Sequence, residues 1–237
     1  MTSQSQSLQQ ITDNWQHVSA NVKAAAKAAG RDPESVTLVG VTKYVDASLA
    51  GDLVTAGCHD LGENRPQMLW SKAESLAELG PITWHMIGHV QTNKLRRMLR
   101  YRPLIHSVDS PRLLEAIEQE SEHQQCTTDV LLEVNISGDA AKTGLAPETV
   151  KELLKQSQSQ SVRVMGLMAM SGLGSDQNAA LQQFQQVAQL RDDLQQSTGI
   201  ELPELSMGMS GDYEQAIQAG ATLVRIGSAL FAGLLDR

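Results

Sequence analysis

The sequence predicts an α/β protein, a single (β/α)8 TIM barrel preceded by one additional N-terminal helix. Three observations carry this. Short apolar stretches of strand length alternate with helical periodicity about eight times along the chain. Strands followed each time by a helix imply a parallel sheet, because parallel neighbours need crossover connections. The length, 237 residues, is close to the roughly 250 typical of a closed barrel of eight units. A doubly wound open sheet has the same alternation, so periodicity leaves that alternative open.

The elements follow in order. Leu8, Ile11, Trp15, Val18, Val22, Ala25 and Ala29 recur at steps of three and four, which predicts an amphipathic helix over about 5–30, ended by Gly30 and Pro33. Predicted strands are VTLVGVT (36–42), HDLGEN (59–64), ITWHMIG (82–88), LIHSVD (104–109), DVLLEVNI (129–136), VRVMGLMAM (162–170), ELSM (204–207) and TLVRIG (222–227). Each precedes a predicted helix: about 47–56, 66–79, QTNKLRRMLR, SPRLLEAIEQESEH, PETVKELLKQSQ, about 178–197, GDYEQAIQAG and SALFAGLL. KQSQSQS (155–161) reads as a solvated helix end and loop. Nothing reads as a linker, so one domain over 1–237 is expected, with the barrel over about 36–235.

Composition narrows the function classes. A net charge of -8 gives no general basic field for nucleic acid, and Lys94, Arg96, Arg97 and Arg100 have the spacing of an exposed helix face. Cys58 and Cys126 belong to no CxxC or Cys/His ligand pattern, so they read as reduced thiols, with Cys58 a core residue. MTSQSQSLQQ lacks the features of a signal peptide, and no segment has the roughly 20 apolar residues of a membrane span. A cytoplasmic protein with no membrane or nucleic-acid partner is expected.

Polar residues just past the C-terminal strand ends face the mouth of such a barrel. Lys43 follows LVGV there, and a lysine emerging from an apolar interior can present a neutral amine that attacks an aldehyde and forms a Schiff base. A solvated strand-end lysine is the bland alternative. SMGMSGD (206–212) and RIGSALF (225–231) place Ser210, Gly227 and Ser228 in small-residue turns leading into predicted helices, where barrels commonly bind phosphate. Turn glycines without a ligand are the alternative for each. Together with Lys43 they fit an aldehyde that carries a phosphate, pyridoxal 5'-phosphate (PLP). His85 and His89 lie on one strand face but about 13 Å apart, too far to share a metal. No metal site is expected, and His85 is counted among the cofactor-binding residues, through a hydrogen bond near the mouth.

GVTK (40–43), GEN (62–64), WHMIGHVQTNK (84–94), VNISGDAAKTG (through Gly144), GLMAM (166–170), LSMGMSGDYEQAI (205–217) and TLVRIGSALF (222–231) together resemble the YggS/PROSC family of pyridoxal phosphate homeostasis proteins. The resemblance runs from about Val36 to Phe231 and implies a PLP-binding barrel of the alanine racemase N-terminal type. It implies Lys43 as the internal aldimine lysine, phosphate contacts from Ser210, Gly227 and Ser228, Arg225 at the pyridine nitrogen, and Asn64 beside the ring. One departure is visible: GEN is followed by Arg65 and Pro66, where the family commonly has an aromatic and an aliphatic residue.

An arginine at the ring nitrogen leaves it unprotonated and weakens the ring as an electron sink. Racemases of this fold take their opposing acid from an additional domain and a partner subunit, which is not expected here, and nothing places Tyr44, Tyr101 or Tyr213 opposite Lys43. The expectation is a monomeric PLP homeostasis protein with little or no turnover and no catalytic residues assigned, with PLP-dependent apoenzymes as candidate partners. A PLP-dependent amino-acid racemase is the alternative. An aldolase using Lys43 directly on a sugar is a third class.

Overall fold

The computed structural model describes residues 3–136, 143–156, 160–172 and 174–235. The strands β1 (Thr37–Val41), β2 (Asp60–Glu63), β3 (Thr83–Met86), β4 (Leu104–Val108), β5 (Thr128–Glu133), β6 (Val162–Met168), β7 (Glu204–Ser206) and β8 (Leu223–Ile226) are parallel and close in that order into a barrel. Closure excludes the open-sheet alternative: Thr37, Leu38, Val39 and Gly40 of β1 pair with Leu223, Val224, Arg225 and Ile226 of β8. At the β7–β8 seam a single register pair, Ser206 with Leu223, is supplemented by side chains. The Thr222 hydroxyl accepts from Leu205 N at 2.8 Å and donates to Glu204 Oε2 at 2.5 Å.

The helices are α1 (Ser3–Ala28), α2 (Ala47–Thr55), α3 (Pro66–Ser75), α4 (Leu95–Met98), α5 (Pro111–His123), α6 (Pro147–Gln156), α7 (Gln177–Thr198) and α8 (Tyr213–Gln218). Their starts follow from local chemistry. Asp46, Ser110 and Asp176 accept from the third backbone N–H beyond them and cap α2, α5 and α7. Pro66 and Pro111 occupy first-turn positions where no N–H is missed. Helix α1 lies across α2 and α8, burying Ile11, Val18, Val22 and Ala26. Arg31 fastens its C-terminal end by donating to the carbonyls of Ile217 at 3.0 Å and Ala221 at 2.7 Å.

Two expected helices differ. QTNKLRRMLR forms one α-helical turn flanked by 3-10 turns. SALFAGLL forms consecutive turns after β8, with Leu230 N donating to Gly227 O at 3.0 Å and Leu234 N to Phe231 O at 3.1 Å. Gly233 there has φ 82, a left-handed conformation that stops a helix from propagating. Ile11, Leu53, Leu69, Phe184 and Phe231 are among the buried residues of the main core between barrel and helices. Val39, Leu131, Met168 and Leu223 form a separate small cluster.

Candidate functional site

Lys43 lies two residues past β1, in a turn closed by Val45 N donating to Thr42 O at 3.1 Å. It is half-buried, with Nζ 4.9 Å from the centre of the exposed Tyr44 ring. Behind it lies a fully enclosed ion pair that the sequence reading did not foresee. Lys72 reaches in from α3 to Glu63 at the end of β2, and both are at most 2% exposed. Lys72 Nζ also donates to Thr42 O at 2.7 Å, while the Thr42 hydroxyl donates to Glu63 Oε1 at 2.6 Å. The residue immediately before Lys43 is therefore held by both its carbonyl and its side chain.

The loops after β7 and β8 meet at Ser210 and Ser228, whose hydroxyls are 3.1 Å apart. Gly227 faces the end of β1: a Cβ there would lie 3.2 Å from Val41 O. Gly208 has φ 87, and a Cβ on it would lie 2.8 Å from Tyr213 Cα, so only glycine fits there. Its carbonyl accepts from Arg225 N at 3.0 Å, tying the two loops together. Asp212 holds the β7 loop by accepting from Met209 N at 2.7 Å and from the Ser171 hydroxyl at 2.6 Å.

Arg225 on β8 is buried, and its guanidinium donates to Ser206 Oγ and to Ala169 O, the latter at 3.2 Å. Burial lowers its pKa to about 10, against the opposite pull of Asp212 and Glu133, so it remains a cation near neutrality. Glu133, at the end of β5, has its pKa raised chiefly by burial, while the Thr143 hydroxyl donating at 2.6 Å pulls the other way.

The structure thus brings Lys43, Arg225, Gly227, Ser228 and Ser210 to the C-terminal ends of the adjoining strands β1, β8 and β7. Asn64 follows β2 and is half-buried, and Gly88 packs onto its backbone. Arg65 is exposed and Pro66 opens α3, so this departure from the family pattern makes a helix start. His85 is placed differently from the expectation. It lies inside the barrel with Nδ1 2.9 Å from His106 Nε2 and Nε2 3.0 Å from Asp60 Oδ1, so both ring nitrogens are engaged by protein rather than available at the mouth. His106, Asp60, Glu133 and Lys72 were missed; a histidine within the apolar LIHSV was the one available signal, since β4 is otherwise a core strand. The 137–142 part of VNISGDAAKTG lies outside the described residues.

The chain matches the family model "Alanine racemase, N-terminal domain" over residues 6–234. It is 39% identical to the pyridoxal phosphate homeostasis protein of Pseudomonas aeruginosa over 93% of this chain and 94% of that one. It belongs to the pyridoxal phosphate homeostasis protein family. The relative from Aquifex aeolicus in this family is 37% identical over 89% of this chain and 92% of its own. PipY of Synechococcus elongatus, solved with PLP bound, superposes with a TM-score of 0.80 at 34% identity, covering 89% of this chain and 100% of that one. Membership of the pyridoxal phosphate homeostasis family agrees with the closed barrel and with the motifs that surround Lys43, Ser210 and Arg225. No described helix is long and apolar enough to cross a membrane.

Proposed function

We propose that this protein binds PLP at the C-terminal mouth of the barrel and serves PLP homeostasis by holding the cofactor covalently on Lys43 with little turnover. The observation that carries this is the pairing of β1 with β8, which sets the lysine turn beside a buried arginine and the Gly227–Ser228 turn. The residues fit the ligand. A phosphate needs hydrogen-bond donors, and Ser210 and Ser228 bring two hydroxyls together, with Gly227 keeping the turn free of a side chain. The phosphate contacts come from these turns rather than from a helix end after β8.

A pyridine nitrogen is an acceptor, and Arg225 is a buried cation whose hydrogen bonds, among the described residues, go to a hydroxyl and a carbonyl rather than to a carboxylate. A permanent cation there keeps the ring nitrogen unprotonated, so bound PLP would supply aldehyde chemistry but little electron withdrawal. Asn64, half-buried just past β2, would line the side of the bound ring. His85, with both ring nitrogens bonded to protein, is assigned no contact with the cofactor. A bond between an aldehyde and a lysine amine is reversed by water, so cofactor held on Lys43 is available for release to PLP-dependent apoenzymes.

The test is a titration of the purified protein with PLP followed by ultraviolet-visible absorption. Saturable appearance of the chromophore of a lysine adduct supports the proposal. A protein that remains spectrally silent with PLP, and is trapped by borohydride only with a sugar phosphate, overturns it in favour of an aldolase.

A further inference from the structure

A continuous line of hydrogen bonds crosses the barrel interior from the start of β2 to β8. Asp60 Oδ1 is 3.0 Å from His85 Nε2, His85 Nδ1 is 2.9 Å from His106 Nε2, and His106 Nδ1 is 2.8 Å from Ser206 Oγ. Ser206 Oγ in turn contacts Arg225 Nη1. His85, His106, Ser206 and Arg225 are all at most 4% exposed, whereas the Asp60 side chain is 31% exposed.

The two ends dictate where every proton sits. A guanidinium has no acceptor atom, so Arg225 donates to Ser206 Oγ. The Ser206 hydroxyl proton, enclosed by protein, then has His106 Nδ1 as its acceptor. With Nδ1 accepting, a neutral His106 carries its proton on Nε2 and donates to His85 Nδ1. His85 by the same logic carries its proton on Nε2 and donates to the Asp60 carboxylate. The reverse order fails at both ends, because a carboxylate has no proton to give and a guanidinium cannot receive one. An extra proton on His85 would turn His106 around, make Ser206 Oγ accept from both sides, and strand its hydroxyl proton without a partner. Burial, with the nearby Arg225 cation adding to it, moves the His106 pKa well below 6.5, in agreement with a neutral ring.

We propose that Asp60, His85, His106 and Ser206 are positioning residues for Arg225, forming a one-way hydrogen-bond relay that keeps both histidines as neutral Nε2–H tautomers and fixes the guanidinium through Ser206. Its consequence for PLP rests on the function proposed above; the relay itself does not.

The experiment is long-range proton–nitrogen NMR of the histidine side chains in 15N-labelled protein, with and without PLP, for the wild type, Ser206→Ala and Ser206→Thr. In the wild type at neutral pH, His85 and His106 are expected as Nε2–H tautomers even before PLP is added. Either ring found as the Nδ1–H tautomer or as imidazolium overturns the relay. Ser206→Ala is expected to shift the His106 Nδ1 resonance and weaken PLP binding about tenfold, the scale of one hydrogen bond to a charged group. Ser206→Thr, which keeps the hydroxyl, is expected to restore both. Unchanged PLP affinity in Ser206→Ala overturns the positioning role, and should Ser206→Ala fail to fold, the wild-type tautomers and Ser206→Thr decide. A wild type that shows the predicted tautomers but takes up no PLP defeats the PLP function and leaves the relay standing.

Discussion

Lys72 Nζ donates to the carbonyl oxygen of Thr42 at 2.7 Å while also pairing with Glu63, so a buried ion pair fixes the residue that precedes Lys43. Glu63 Oε2 has no hydrogen-bond partner among the described residues, which makes the carboxylate dependent on Lys72. Lys72→Met is expected to destabilise the fold by about 3–5 kcal/mol, the usual cost of leaving one buried charge alone. Adding Glu63→Leu should recover part of that loss. Denaturant unfolding measures both, and a single variant as stable as the wild type contradicts the expectation.

The Ser210–Ser228 contact predicts selectivity for the phosphorylated ligand. Ser228→Ala should lower affinity for PLP about tenfold, on the scale of a charge-assisted hydrogen bond. Affinity for pyridoxal, which lacks the phosphate, should hardly change. Parallel absorbance titrations give the ratio, and an unaltered ratio places the phosphate elsewhere.

His106 gives stability a pH dependence of definite sign. Its folded-state pKa lies well below 6.5, so the unfolded chain takes up a proton first as pH falls. Its stabilising contribution is complete above about 6.5 and is lost on acidification towards the folded-state value, at up to about 1.4 kcal/mol per pH unit. His106→Leu should therefore show a shallower loss of unfolding free energy between pH 7 and 5 than the wild type. Equal slopes contradict a buried neutral imidazole.

Arg225 predicts weak catalysis. If Arg225 faces the ring nitrogen as proposed, PLP-loaded protein given single-enantiomer alanine in heavy water should exchange its α-proton and racemise far more slowly than the roughly 1–1,000 per second usual for enzymes. Turnover within that range supports an amino-acid racemase instead.

The barrel was legible because each strand-helix unit carries its own local periodicity, and the position of Arg225, Gly227 and Ser228 at the end of β8 was legible because the apolar run marks where that strand stops. The interior was not. His85 and His106 are 21 residues apart, and His106 and Ser206 are 100 apart, so their contacts exist only once the barrel closes. Lys72 sits within PQMLWSKAES, where it looks like an ordinary solvated helix lysine until α3 packs against β2 and turns it inward. SALFAGLL has helical composition, but the chain turns repeatedly there and passes through a left-handed Gly233.

The covalent role proposed for Lys43 is tested most directly by borohydride reduction of the PLP-loaded protein, followed by proteolysis and peptide mass mapping. The pyridoxyl group is expected on the peptide containing Lys43, with Lys43→Ala losing both the modified peptide and the adduct chromophore. Modification of a different lysine, with the chromophore retained in Lys43→Ala, would contradict it.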